Sequence, residues 1–220
     1  MPDEQNITHD YIIDFIRGAL PKHTGLLAEM EAYAEQNGVP IIQPEVAALL
    51  ALMCKIQRPQ RVLEIGTAIG YSALLMLSNI QAVTDGGTIT TIERAPDMAA
   101  LARINFEKAG VSDRIELLEA DAEVLLPELD GQYDMIFLDA AKAHYIHFLP
   151  HCIRLLRTGG LLVSDNILYG GMVVNRDLLI RRKITIVKRL QKYIAAICDT
   201  PELQSSILSV GDGVALSYKL

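Results

Sequence analysis

Up to residue 57, apolar residues recur at helical spacing; from residue 61 onward they gather into short runs separated by helical stretches. Ile12, Phe15, Ile16, Ala19 and Leu20 share one face of a predicted first helix. A second helix is expected from about Thr24 to Asn37, where Gly38 supplies a C-terminal cap and Pro40 lies just beyond. A third should begin at Pro44, a favoured first-turn residue, and continue through Glu45, Val46, Ala47, Ala48, Leu49 and Leu50. Strands are then expected at 61–65, 88–92, 114–119, 133–138 and 160–164, with helices beginning near Tyr71, Pro96, Ala122 and Lys142. Such alternation implies an α/β fold with a doubly wound, mostly parallel sheet. Segments 205–210 and 214–219 flank Gly211-Asp212-Gly213, a hairpin signal that adds an antiparallel edge and brings the sheet to seven strands. One domain over 1–220 is expected, with a helical extension at 1–57 and a core at 58–220.

The bulk numbers change this picture little. Half of the 220 residues are apolar, enough for a sizeable core, and the net charge of −7 does not mark the whole chain as a nucleic-acid binder. The run from Val46 to Cys54 is too short to span a bilayer, so no membrane partner is expected. The polar, acidic start Met1-Pro2-Asp3-Glu4-Gln5-Asn6 does not read as a signal peptide. Cys54, Cys152 and Cys198 are scattered in helix-like apolar stretches without metal-ligand spacing. They are expected to be buried free thiols in a reducing, cytoplasmic setting.

The chemistry gathers at the ends of the predicted strands, where open α/β sheets bind ligands. The first strand runs through Glu64 into Gly66-Thr67-Ala68-Ile69-Gly70-Tyr71-Ser72, in which glycines let backbone approach a ligand. Its G-x-x-x-G spacing differs from the dinucleotide-binding G-x-G-x-x-G, which argues against NAD. Glu64 suits a cationic or ammonium-bearing ligand. Glu93, ending the second strand, can accept both hydroxyls of a ribose. Asp121-Ala122, after the third, are placed to flank an adenine. The fourth strand delivers Asp139 with Lys142 one turn later, and the fifth delivers Asp165-Asn166. Neighbouring fourth and fifth strands would bring Asp139, Asp165 and Asn166 together as hard oxygen ligands for Mg²⁺ or Ca²⁺.

In combination and in order, these motifs make the chain resemble the metal-dependent O-methyltransferases that include the catechol and caffeoyl-coenzyme A enzymes. The resemblance runs from about Ile41 to Leu220 and rests on Glu64-Ile-Gly, Gly70-Tyr71-Ser72, Glu93, Asp121-Ala122, Asp139-Ala-Ala-Lys142 with Tyr145, and Ser164-Asp165-Asn166. It implies a Rossmann-like class I methyltransferase using S-adenosylmethionine, a parallel sheet with a hairpin edge being this family's pattern rather than the dehydrogenases'. By resemblance, Ile42, Glu64, Gly66, Tyr71, Ser72, Glu93, Asp121, Ala122 and Asp139 form the cofactor site. Asp139, Asp165 and Asn166 would hold Mg²⁺ (or Ca²⁺ or Mn²⁺), Lys142 and Asp139 would be catalytic, and a homodimer is implied. Plant members usually carry a second acid where this chain has Ala141. The Asp-Ala-Ala-Lys form, Ser-Asp-Asn-Ile-Leu and the Val210-Gly-Asp-Gly-Val-Ala-Leu-Ser tail look closest to bacterial tRNA 5-hydroxyuridine methyltransferases.

One further segment bears on the substrate. Between Asn175 and Lys192 stand seven Lys/Arg (176, 181, 182, 183, 188, 189, 192) against one acid, Asp177, in an otherwise acidic chain. Ile180, Ile184, Val187, Ile194 and Ile197 mark the expected buried face of a helix, which leaves the cations outside. Such a face suits phosphates or is a solvated surface. Tyr169 and Tyr193 are the nearest candidates for base stacking. The expected partner is therefore a tRNA anticodon region, with a small hydroxylated aromatic or acyl-coenzyme A substrate as the alternative. A non-catalytic cofactor-binding module is disfavoured by the metal set together with Lys142.

Overall fold

The computed structural model describes residues 8–84 and 86–220, so the polar start at 1–6 lies outside the described residues. Three helices come first: α1 (Asp10–Ala19), α2 (Leu26–Asn37) and α3 (Pro44–Gln57). Gly38 caps α2 in the left-handed conformation at φ 64°, and Pro44 occupies the first turn of α3. There follow β1 (Arg61–Ile65), α4 (Tyr71–Gln81), β2 (Thr88–Glu93), α5 (Pro96–Ala109), β3 (Ile115–Glu119), α6 (Ala122–Leu125), β4 (Tyr133–Leu138), α7 (Tyr145–Leu155), β5 (Leu156–Ser164), α8 (Ile184–Asp199), β6 (Leu203–Leu208) and β7 (Val214–Lys219).

The seven strands form one sheet in the order β3-β2-β1-β4-β5-β7-β6. β1 to β5 are parallel, and β7 runs antiparallel to both β5 and β6. Both faces are covered, so the central β1 is buried at every position after Arg61. One core joins α2, α3, α4 and α5 to the sheet through Met30, Leu50, Leu75 and Phe106; the other joins α7 and α8 through Phe148, Leu155, Leu190 and Tyr193. The chain leaves β1 for β2 on one side, while β4 packs on the other, so the order reverses between β1 and β4 and opens a crevice there.

Three local expectations need correction. β5 begins at Leu156 rather than residue 160, and its pairing with β4 jumps from Tyr133↔Leu156 to Met135↔Leu161. The intervening residues bulge, with the Arg157 Nε 2.5 Å from Asp134 Oδ1. The basic segment is not one helix. Two 3₁₀ turns, Arg176–Leu178 and Arg181–Lys183, precede α8, leaving Ile180 exposed while Leu190 and Tyr193 join Val187 and Ile197 inside. Cys54 and Cys152 are buried, but Cys198 falls on the outer face of α8 and is exposed.

Candidate functional site

A cleft of about 1020 Å³ lies across the C-terminal ends of the parallel strands. Its floor is the crevice between β1 and β4. Gly66, at φ 104°, passes so close to the Asp139 carbonyl that any side chain there would collide with backbone. Of the expected site residues, Ile42, Gly66, Tyr71, Ser72, Glu93, Asp121, Ala122, Asp139, Lys142, Asp165 and Asn166 all line this cleft.

Glu64 does not. It is fully buried on β1, behind the wall rather than in it. Ser72 Oγ donates to its Oε1 and Thr91 Oγ1 donates to its Oε2, each at 2.5 Å. Burial pushes its carboxyl up to about 8, a rise that these two hydrogen bonds only partly offset. The carboxylate expected to face a ligand cation thus lies just beneath Ser72, which lines the cleft.

The next two acids are held by backbone. Glu93 accepts the Ala95 N–H at 2.8 Å and the Ala68 N–H at 2.9 Å, tying the end of β2 to the glycine loop. Ala68 sits at φ 46°, an uncommon conformation for a residue with a Cβ, and this bond helps hold it. Both Glu93 oxygens keep a further lone pair for a ligand. Asp121 caps α6 by accepting the Glu123 N–H at 2.9 Å.

At the other end of the cleft, β4 and β5 pair in register up to Leu138↔Ser164, so Asp139 and Asp165 leave adjacent strands side by side. Lys142 Nζ donates to Asp139 Oδ1 at 2.7 Å. Asp165 is 1% exposed. Its carboxyl is raised above the usual range, first by burial and then by the like charge of Asp139, with the Asn166 N–H and Lys142 acting against the rise. Asn166 at φ 54° and Tyr169 at φ 49° are both left-handed, a concentration of strain in the loop after β5. Asp212, from the β6–β7 turn, accepts the Gly170 N–H at 2.5 Å and braces that loop.

Further side chains complete the site. Tyr145, fully buried, shares its one hydroxyl proton between the Leu138 and Asp165 carbonyls, 3.1 and 3.0 Å away, and so holds the ends of β4 and β5 together. Tyr193, expected as a stacking surface, is instead buried with its hydroxyl 2.5 Å from Ser164 Oγ. Tyr169 lines the cleft and carries Lys183 Nζ 4.7 Å above its ring. Arg17 of α1 also lines the cleft and grips Glu45 through two bonds of 2.8 and 2.9 Å. His23 and Tyr71 converge on Glu31 Oε1 at 2.6 and 2.5 Å. Sequence periodicity could not reveal these pairs, because each joins separate elements.

The donor set has the chemistry of a hard-cation site: two carboxylates side by side in a region of low solvent access, next to an amide. One ammonium for two acids leaves negative charge that a divalent cation would neutralise.

Comparisons with known proteins bear on the fold and the family. A family model described as O-methyltransferase matches residues 21–220. A catechol O-methyltransferase of Niastella koreensis is 34% identical over 158 residues, 69% of this chain and 70% of that protein. A caffeoyl-CoA O-methyltransferase of Stellaria longipes is 27% identical over 224 aligned residues, 96% of this chain and 90% of that protein. The crystal structure of the Podospora anserina methyltransferase PaMTH1, which has SAH bound, superposes with a TM-score of 0.86 at 26% identity, covering 96% of this chain and 94% of that one. With a parallel sheet ending in a hairpin, a cleft across its strand ends and a family match over nearly its whole length, the chain belongs to the O-methyltransferase family.

Proposed function

We propose that the protein transfers a methyl group from S-adenosylmethionine to an oxygen of a substrate that presents two adjacent oxygens, with a divalent cation bound by Asp139, Asp165 and Asn166. The observation that carries this reading is the convergence of those three residues and Lys142 at one end of a cleft whose other end has the glycine loop, Glu93 and Asp121-Ala122. Ile42, Gly66, Tyr71, Ser72, Glu93, Asp121, Ala122 and Asp139 would contact the cofactor, and the SAH in the Podospora protein supports that cofactor class.

A bound Mg²⁺, Ca²⁺ or Mn²⁺ would supply a Lewis acid that lowers the pKa of the attacking hydroxyl. The chain's own residues do the rest. Lys142, held 2.7 Å from Asp139, is placed to stabilise the developing oxyanion as an ammonium, or to take the hydroxyl proton in its neutral amine form. Tyr145 keeps the ends of β4 and β5 in one geometry, so that the reacting oxygen and the methyl carbon can be held in line. We take the chain as one domain over 1–220, with an extension at 1–57 from which Arg17, Glu31 and Ile42 line the cleft.

For the acceptor we favour the 5-hydroxyl of 5-hydroxyuridine at the tRNA wobble position, giving 5-methoxyuridine. The 5-hydroxyl and 4-carbonyl are adjacent oxygens. Arg176, Arg181, Arg182, Lys188 and Lys192 are exposed and enter no ion pair among the described residues. Unneutralised cations in the segment that carries Lys183, itself over the Tyr169 ring at the cleft, suit anticodon-stem phosphates. The second reading, a small catechol-like or acyl-coenzyme A acceptor, is favoured by the named activities of the Niastella and Stellaria relatives. No helix among the described residues is long and apolar enough to cross a membrane; we take the protein to be cytoplasmic and homodimeric. The deciding experiment is methyl transfer to total small RNA against a catechol panel, with and without chelator. Activity in excess chelator would remove the metal, and methylation of catechols alone would select the second reading.

A further inference from the structure

Beneath the glycine loop runs a chain of side-chain hydrogen bonds that reaches the cleft at both of its ends. β1 and β2 pair with Glu64 directly opposite Thr91. Thr91 Oγ1 donates to Glu64 Oε2 at 2.5 Å, so its one proton is committed there. Thr67 Oγ1 lies 2.5 Å from Thr91 Oγ1, and with Glu64 ionised that bond runs from Thr67 to Thr91. On the far side Ser72 Oγ donates to Glu64 Oε1 at 2.5 Å. Thr67 and Ser72 line the cleft, whereas Thr91 and Glu64 have no solvent exposure. On β2, Thr91 and Glu93 point the same way two residues apart. The strand thus clamps the loop at two consecutive points, Thr67 by a hydroxyl and Ala68 by a carboxylate.

We propose that Thr91, with Thr67, is a positioning residue for the cofactor end of the cleft: through Glu64 the two threonines fix the hydroxyl proton of Ser72 and the course of the glycine loop before a ligand arrives. The inference rests on the assignment of that end to S-adenosylmethionine. The relay is buried, where an unmade hydrogen bond is costly and a completed one is rigid. It is also the means by which a buried carboxylate is kept acceptable at this position. The charged groups that face Glu64 are Asp139, beyond β4, and Glu93, at the end of β2; both disfavour its ionisation, and only Ser72 and Thr91 favour it. Removing one hydroxyl leaves the ionised form with half of its donors.

The test uses Thr91→Val, which keeps shape and deletes the hydroxyl, and Thr91→Ser, which restores it, with Thr67→Val and the Thr67→Val/Thr91→Val pair as a second route into the same relay. Two readouts are taken on the full chain. Carbon-13 NMR follows the Glu64 carboxyl against pH in the ligand-free protein. Calorimetry measures S-adenosylhomocysteine binding. Thr91→Val should move the Glu64 midpoint upward, weaken the cofactor product by about threefold to tenfold, and leave the acceptor KM at saturating cofactor unchanged. Thr91→Ser should restore both quantities, and the double variant should cost less than the sum of its single changes. An unmoved midpoint, equal losses for Val and Ser, or additive losses would each overturn the relay. A wild-type protein that binds no S-adenosylhomocysteine while its midpoint responds as expected would instead refute the cofactor assignment.

Discussion

The two ends of the cleft are built on opposite principles. At the end assigned to the cofactor, the three strand-end acids accept from uncharged donors: Glu64 from Ser72 and Thr91, Glu93 from Ala68 and Ala95, and Asp121 from Glu123. At the end assigned to the acceptor, Asp139 accepts from Lys142 and Asp165 from the Asn166 N–H, but two like charges stand side by side with one ammonium, and the loop beyond them carries two left-handed non-glycine residues. A satisfied region is rigid without its ligand. One with paired like charges holds electrostatic repulsion that a cation would relieve, so binding there would be coupled to neutralisation. The first end can therefore bind cofactor on its own, while the second should need metal before it can organise an acceptor.

The largest expected effect breaks the acceptor end. Asp165→Asn removes one of its two charges, and losing several kcal/mol of Lewis-acid assistance should lower turnover by about a hundredfold to a thousandfold. In metal-free protein the same change should raise Tm, because it relieves the burial of a carboxylate beside the like charge of Asp139. Melting curves in chelator and methyl-transfer rates in added Mg²⁺ give the two signs, and wild-type turnover by the variant would remove Asp165 from the metal site.

Breaking the cofactor end should look different. Glu93→Ala deletes ribose acceptors and the tether to Ala68, and hydrogen bonds to a charged acceptor are worth about 1.5–3 kcal/mol. S-Adenosylmethionine affinity should fall about tenfold or more, with metal binding intact. A calorimetric dissociation constant equal to wild type would show that Glu93 does not face the cofactor.

The comparison sharpens at the rim. Arg181→Glu with Lys188→Glu should leave S-adenosylmethionine binding alone, weaken binding of hydroxyuridine-containing tRNA, and flatten its salt dependence by about two phosphate contacts. Superimposed filter-binding titrations for wild type and variant would make this surface only a solvated one, and favour the small-molecule acceptor.

The smallest effect is a control at the opposite edge of the sheet. Asp134 accepts the Gln60 and Arg61 N–H groups at 2.7 and 2.8 Å and pairs with Arg157. Burial would raise its carboxyl, but these partners outweigh burial and hold it below the usual range. A depressed folded pKa stabilises above the unfolded value near about 4 and loses that contribution as pH falls through the folded one. Asp134→Asn should therefore cost about 1–2 kcal/mol at pH 7, cost less near pH 3, and leave methyl transfer unchanged. Denaturant melts at the two pH values measure this, and an equal cost at both would mean that ionisation is not what stabilises the site.

Much of this was legible in the order of residues. Local rules act over a few positions, so Gly38, Pro44 and the glycines around Asp212 marked their turns, and apolar runs located β1, β4 and β7 with their ends. Acids directly after strands could be read as cleft residues because a parallel sheet places all its strand ends on one edge. Contacts between elements decided the rest. Glu64 reads like Glu93 in sequence, yet one is sealed against Thr91 and Ser72 and the other opens to the cleft, since only the packing of α4 on β1 and β2 determines which carboxylate keeps water. Tyr193 and Tyr169 looked alike as aromatic candidates. The fold of α8 against α7 buried the first, while the strained turn after Asn166 left the second at the rim. Composition and periodicity thus specified the elements and the edge where the chemistry lies; which side chains face each other, and hence which acids are satisfied, was decided by tertiary structure, because hydrogen bonding and desolvation depend on neighbours distant in the chain.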